Sequence, residues 1–294
     1  MKKAVVIIND SLVVTRDREL PAAKPKELEQ MVKLDASEFL PYDINEYTIR
    51  YKVLLASKQN PRNTNYILMS SIKNELLMDF CESLKAAGVK PIAIDTTING
   101  MIKYMKRCIA GNRTESEKAI ALIDFGAISA KMVIFYTGIP VYQQVMNHSS
   151  QKIDIMISTG LNLERDEAEE YKIRYGLEFL KNKTADDMSR AVGSIINSQI
   201  DLILADLYKH FQNFMSKSGG KAVDTILLTG GTAGMKGLDI YIQEAFNIPC
   251  RAVSAEDTVK FSNNKTIGYG SQGSIVSDRY PLFTNIAGAA CRGE

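Results

Sequence analysis

Two glycine-bearing turns in this chain carry residue types from which phosphate chemistry is built. The first lies in ALIDFGAISAKMVIF, Ala121 to Phe135, where two apolar runs flank Asp124, Gly126, Ala127 and Ser129. A short carboxylate followed by small residues is ordinary turn chemistry, because Asp and Gly tolerate unusual backbone angles. It reads either as the tight turn of a phosphate-binding hairpin or as a hairpin turn alone. The second lies in TILLTGGTAG, where a short apolar strand, Thr225 to Leu228, empties through Thr229, Gly230, Gly231 and Thr232 toward a helix over Leu238 to Phe246. Paired glycines bring backbone close to a ligand, and a helix start presents unpaired N–H groups. Taken singly, the same pattern marks a crowded turn. Glu169 and Lys172 stand three apart on one helix face. By spacing alone they read as a solvated ion pair of little energy.

Other chemistries are poorly supplied. The net charge of +2 provides no basic excess to attract a nucleic-acid backbone. Four cysteines (Cys81, Cys108, Cys250 and Cys291) are scattered without a Cys-x-x-Cys pair, which suits reduced thiols better than a disulfide framework or a zinc site. With only His148 and His210 available, histidine-based metal sites and catalytic triads are hard to build. A length of 294 residues, 45% of them hydrophobic and 24% charged, allows two domains each with its own core. No apolar run approaches the roughly 18–20 residues of a membrane-spanning helix. The opening MKKAVVIIND resembles the start of a signal peptide, but its apolar stretch is too short and leads into further strand. A cytoplasmic protein is the expectation.

Periodicity predicts the elements that hold the two turns. Lys3 to Ile8 and Leu12 to Leu20 read as strands around an Asn9-Asp10-Ser11 turn, followed by a helix from Lys26 to Leu40 that Pro41 stops. Glu46 to Leu55 alternates as a half-buried strand, with Tyr47, Ile49, Tyr51 and Val53 on one face, and Tyr66 to Met69 is another strand. Ile72 to Ala87 reads as an amphipathic helix with Ile72, Leu76, Phe80 and Leu84 in its stripe and Gly88 at its end. A strand over Pro91 to Asp95, a helix over Thr97 to Ala110 and a polar connector over Gly111 to Lys118 lead to the first turn. A second hairpin is expected at Thr137-Gly138, then helices over Ile153 to Leu161 and Glu164 to Tyr175. Met188 to Phe214 reads as a long core helix, and the small-residue tail from Asn285 to Cys291 as a last one.

The order strand, Asp-x-Gly, strand, then AEEYK on a helix, then LLTGG resembles the actin-like ATPase fold shared by actin, sugar kinases and FtsA. Within that fold, RDRELP, KELEQMVKLDASEFLPYDINEYTIRYKVL, SLKAAGVKPIAID, ALIDFGAISAKMVIF, DEAEEYKIRYG, ILLTGGTAGMKGLDIYI and the closing IAGAA resemble the PilM family of bacterial type IV pilus assembly proteins. The resemblance covers essentially the whole chain. It implies an α/β, actin-like (ribonuclease-H-like) fold with an inserted small α+β domain, N-terminally shortened. Residues 1–10 would be a remnant of the first actin-like subdomain, 11–90 the inserted domain and 91–118 the rest of that subdomain. Residues 119–282 would form the second actin-like domain, with an insertion at about 165–220, and 283–294 a helix returning to the first.

The resemblance also implies roles. Asp124 would face a magnesium ion or water, and Gly126, Ala127 and Ser129 would offer N–H groups to phosphate. Glu169 and Lys172 would bracket ribose and adenine, and Gly230, Gly231 and Thr232 would form the adenosine loop. Family members begin with an earlier strand, Asp-x-Gly-Ser, strand hairpin that is not found upstream of Lys3, and Ser149-Ser150-Gln151 stands where the family has a double glycine. A hydrogen bond to charged phosphate contributes roughly 1.5–3 kcal/mol, and each ~1.4 kcal/mol is tenfold in affinity. Losing two or three would weaken ATP binding by orders of magnitude, so ATP and magnesium are expected of the complete family member and not of this chain. The expected role is that of a cytoplasmic scaffold, not an enzyme; the alternatives are an actin-like ATPase that binds and slowly hydrolyses ATP and an FtsA-like polymerising division protein. The scaffold would bind the short cytoplasmic tail of the inner-membrane protein PilN and meet other pilus components, without inserting in the membrane. An unpaired sheet edge leaves room for self-association.

Overall fold

A computed structural model describes residues 2–60, 62–109, 117–178, 186–254, 257, 281 and 284–290. Most of the expected connector after Ala110, and Cys291, fall outside them. The chain divides into two compact units, Met1–Gly100 with the final residues from Ala289, and Met101–Gly288.

The first unit contains strands β1 (Lys2–Ile8), β2 (Val14–Pro21), β3 (Tyr47–Leu55), β4 (Thr64–Lys73) and β5 (Val89–Thr96), with helices α1 (Pro25–Phe39) and α2 (Asn74–Ala86). β2, β4 and β3 form an antiparallel sheet with β4 in the centre, and β1 pairs in parallel with β5. The two consecutive strands expected at the N-terminus therefore belong to different sheets. Their composition accounts for this. The run VVII in β1 suits a parallel strand covered on both faces, whereas the charged alternation of β2 suits an antiparallel one with a wet face. Between them, Asn9 accepts a hydrogen bond from the Ser11 amide and turns the chain.

α1 starts at Pro25, where a missing N–H costs nothing, and the Glu27 carboxylate accepts from the Lys24 amide. Its Val32 and Ala36, with Leu40, pack on Tyr47, Ile67 and Met69. The alternation expected along β3 fails at Val53, which is exposed while Leu54 is buried, because the register shifts between Val53 and Leu55. The stripe of α2 differs from expectation. Ile72 belongs to β4 and Leu76 is exposed, while Leu77, Phe80, Cys81 and Leu84 are half-buried. The helix begins only at Asn74, so Ile72 falls outside it; Phe80 and Leu84 keep the expected face, and Leu77 and Cys81 complete it in place of Leu76.

The division between units falls at Gly100, within α3 (Thr97–Ile109), whose Met101, Ile102, Tyr104 and Met105 are buried. The second unit is built on a five-stranded sheet of order β10-β9-β6-β7-β8. Its strands are β6 (Ile120–Phe125), β7 (Ala130–Tyr136), β8 (Ile139–Met146), β9 (Thr225–Thr229) and β10 (Cys250–Ala252). β6, β7 and β8 form an antiparallel meander; β9 and β10 join β6 in parallel. The β7–β8 turn uses Thr137 and Gly138 at φ 52° and 75°, the double positive φ that a two-residue hairpin of the right-handed twist demands.

Helices α4 (Ser150–Leu161), α5 (Arg165–Tyr175), α6 (Asp187–Lys217), α7 (Leu238–Phe246) and α8 (Thr284–Ala290) complete the described elements. α6 is capped by the Asp186 carboxylate, which accepts from the Ser189 amide at 2.6 Å. Its stripe of Val192, Ile196, Ile200, Ile203, Leu207, Phe211 and Phe214 joins Ile123, Met132, Ile134 and Leu228 in one core. No helix among the described residues is long and apolar enough to cross a membrane.

Candidate functional site

The site is set by register. β6 is buried along its length, with β7 antiparallel on one side and β9 parallel on the other. Asp124 is thereby placed directly opposite Lys131 in β7 and opposite Thr229 in β9. The carboxyl ends of two adjacent parallel strands, β6 and β9, meet here, which is where open α/β sheets bind ligands.

Asp124 and Lys131 are both nearly inaccessible, at 3% and 5% exposure. The Lys131 ammonium lies 3.6 Å from Asp124 Oδ2 and donates to the Ser129 carbonyl at 3.3 Å. Gly126 folds over it: a Cβ at Gly126 would sit 2.8 Å from the Ser129 carbonyl oxygen and 3.4 Å from Lys131 Nζ. Gly230, at φ +87°, closes the other side, where a Cβ would strike the Asp124 carboxylate and come within 2.7 Å of the Phe125 carbonyl oxygen. The Thr232 amide donates to that same carbonyl at 3.3 Å. The hydroxyls of Ser129 and Thr232, residues 6% and 4% exposed, are buried without a hydrogen-bond partner. A buried hydroxyl calls for a partner such as a ligand or water, and Thr15 and Ser71 in the first unit carry the same feature. Ala127 and Gly231 are exposed at the mouths of the two turns.

Behind the second turn, the Thr229 and Thr284 hydroxyls lie 2.5 Å apart and both reach the Pro281 carbonyl, which also accepts from the Gly230 amide at 3.0 Å. The start of α8 is thus tied to the end of β9.

The first turn is braced from below by α4. The amides of Ser150 and Gln151 donate to the carbonyls of Gly126 and Ala127 at 3.0 and 3.1 Å, and the Ser149 hydroxyl caps the helix by accepting from the Lys152 amide. Lys172 is 5% exposed, and its ammonium lies 2.6 Å from Asp154 Oδ1 and 2.7 Å from the Ser150 hydroxyl, joining α5 to α4. Glu169 is exposed on the same helix. A solvated surface pair therefore does not describe Lys172, which is a buried clamp on the helix that holds the first turn.

Asp124, Gly126, Ser129, Gly230 and Thr232 are brought together around one point. Ala127 and Gly231 rim it, Lys172 reaches it through α4, and Glu169 faces solvent. Sequence reasoning missed Lys131 and Asp154. The signal for Lys131 was the hairpin itself, since pairing Phe125 with Ala130 puts Asp124 across from Lys131. The residues around Asp124 do not fit a magnesium ion. The carboxylate already faces a buried ammonium 3.6 Å away, which offsets the charge a divalent ion would use. Magnesium needs unmatched oxygen charge and room for several waters.

Asp-x-Gly at a meander's first turn, a glycine turn on the neighbouring parallel strand and a mixed five-stranded sheet with helices define an α/β, actin-like fold. The structure of a PilM-PilN type IV pilus biogenesis complex is similar over 98% of this chain and 79% of that one, with a TM-score of 0.79 and 17% identity. Two others are more distant: MreB 5 of Spiroplasma citri bound to AMPPNP (TM-score 0.49, 14% identity, 74% of this chain and 63% of that one) and the ethanolamine utilization protein EutJ from Carboxydothermus hydrogenoformans (TM-score 0.46, 12% identity, 71% and 58%). The family described as type IV pilus assembly protein PilM matches residues 1–268, and the chain belongs to that family.

Proposed function

We propose that this chain is a scaffold of the pilus machine that docks the short cytoplasmic tail of a PilN-like inner-membrane protein. Its main support is the extent of the likeness to the PilM of a PilM–PilN complex, 98% of the chain, which takes in the small first-unit sheet as well as the second unit. The first unit has the physical means. Among the described residues, β2 and β3 each pair with β4 on one side only. An extended peptide adds to such an edge through main-chain hydrogen bonds while alternate side chains are read by pockets. The chain would work in the cytoplasm, held at the inner face of the membrane through that partner.

Nucleotide turnover is not the activity in this reading. Phosphoryl transfer relies on metal charge and an aligned base, and Asp124, the carboxylate at the turn, is matched by Lys131. The test is fluorescence polarisation of the whole chain with a labelled peptide copied from the N-terminus of its own PilN partner. Saturable binding, abolished by scrambling the peptide, is expected. Absence of binding would overturn the docking role, and sustained phosphate release from ATP would overturn the non-enzymatic one.

A further inference from the structure

We infer that Lys131 is a resident cation that takes the place of a divalent metal at Asp124, so that any phosphate reaching Ser129 and Thr232 does so metal-free. The inference rests on the reading of this turn as a reduced nucleotide site. Three observations carry it. First, Lys131 is cross-strand to Asp124, so the hairpin cannot form without bringing ammonium and carboxylate to the same spot. Second, both side chains are buried and 3.6 Å apart, a pairing that a buried charge requires. Third, the turn closes on the ammonium. Gly126 leaves room for Nζ where a side chain would stand, and the Ser129 carbonyl accepts from it. A metal would have to enter against a fixed like charge and displace a partner already in hydrogen-bonding reach of backbone.

What is left for a ligand is the pair of buried hydroxyls, Ser129 and Thr232, on either side of the Asp124 turn. Hydroxyls donate to phosphate oxygens without assistance from a metal. The ammonium lowers the local negative charge that Asp124 would otherwise present to an anion.

Mn2+ provides the probe, read by electron paramagnetic resonance of the free ion added to the whole chain. The unaltered protein is expected to leave the Mn2+ signal at its free amplitude. Lys131→Thr is expected to bind Mn2+ at least about tenfold more tightly, and adding Asp124→Asn to it is expected to abolish that gain. Mn2+ bound by the unaltered protein as tightly as by Lys131→Thr would overturn the inference. So would a folded Lys131→Thr that gains nothing. If that single variant fails to fold, Lys131→Gln, which keeps a hydrogen-bond donor beside Asp124, takes its place. The same gain in Mn2+ binding is expected, and a folded Lys131→Gln that gains nothing would overturn the inference. Peptide docking is read separately, so its failure would fault the scaffold role without touching this assignment.

Discussion

At the scale of single residues the second unit is organised by two buried lysines and one glycine. Lys172, with Asp154 and Ser150, spans two helices inside the protein. Removing one member of a buried ion pair leaves an uncompensated charge, which costs about 3–5 kcal/mol, whereas replacing both with apolar groups is often near neutral. Lys172→Met is therefore expected to lower the unfolding free energy, read from urea titration, by that amount, and adding Asp154→Leu to recover most of it. A Lys172→Met protein of unchanged stability would refute the clamp. Gly230 is constrained by its φ of +87° and by the carboxylate and carbonyl that a Cβ would strike. Gly230→Ala should cost at least about 1–2 kcal/mol from backbone alone. Gly234→Ala, a few residues on, has nothing within 4 Å of the new methyl and should be close to neutral. Thermal unfolding of the two variants side by side separates a shaped turn from a merely glycine-rich one.

At the scale of elements, α6 carries a pH dependence that its packing imposes. His210 Nδ1 is 2.8 Å from the Tyr142 hydroxyl, and Asp206 lies 3.8 Å from Nε2 and 3.3 Å from His148. Burial lowers the His210 pKa from its ordinary 6.5; Asp206 opposes that shift, and Lys209 and His148 add to it. A depressed folded value means the unfolded chain binds the proton more readily. The stability due to neutral His210 is then fully present above pH 6.5 and is lost as pH falls through the lower folded value. His210→Gln should flatten the stability profile in that window and leave the plateau above it in place. Urea titrations from pH 7.5 down to about 5 would detect this, and an unchanged slope in the variant would refute the assignment.

The same elements show what a sequence discloses. The turns at Asp124-Phe125-Gly126, Thr137-Gly138 and Thr229-Gly230 are legible because local backbone angles select their residues. The stripe of α6 is legible because it repeats over 31 residues. The role of Lys131 was hidden in strand register, and that of Lys172 in a contact with another helix, 18 residues from Asp154 (172 − 154). In α2, Phe80 and Leu84 were read on the right face, but Ile72 belongs to the preceding strand and Leu76 lies outside the stripe that Leu77 and Cys81 complete. The pairing of β1 with β5 needed knowledge of a partner more than 80 residues away.

At the scale of the molecule, the two units have separate cores, one around Val32, Ile67 and Met69 and one around α6 and the five-stranded sheet. Stability need not be uniform across such a chain, and units can open with different free energies. Ile200 is fully buried in the second core. Ile200→Ala leaves a cavity and is expected to cost about 2–5 kcal/mol. That loss should appear in hydrogen exchange as reduced protection of β6, β7, β9 and α6, with β2, β3 and β4 unchanged. If the docking edge belongs to the first unit, the partner peptide should bind the variant with its original affinity wherever the second unit remains folded. A parallel fall in first-unit protection would mean that the chain unfolds as one cooperative body. A weakened peptide with first-unit protection intact would move the docking surface onto the second unit.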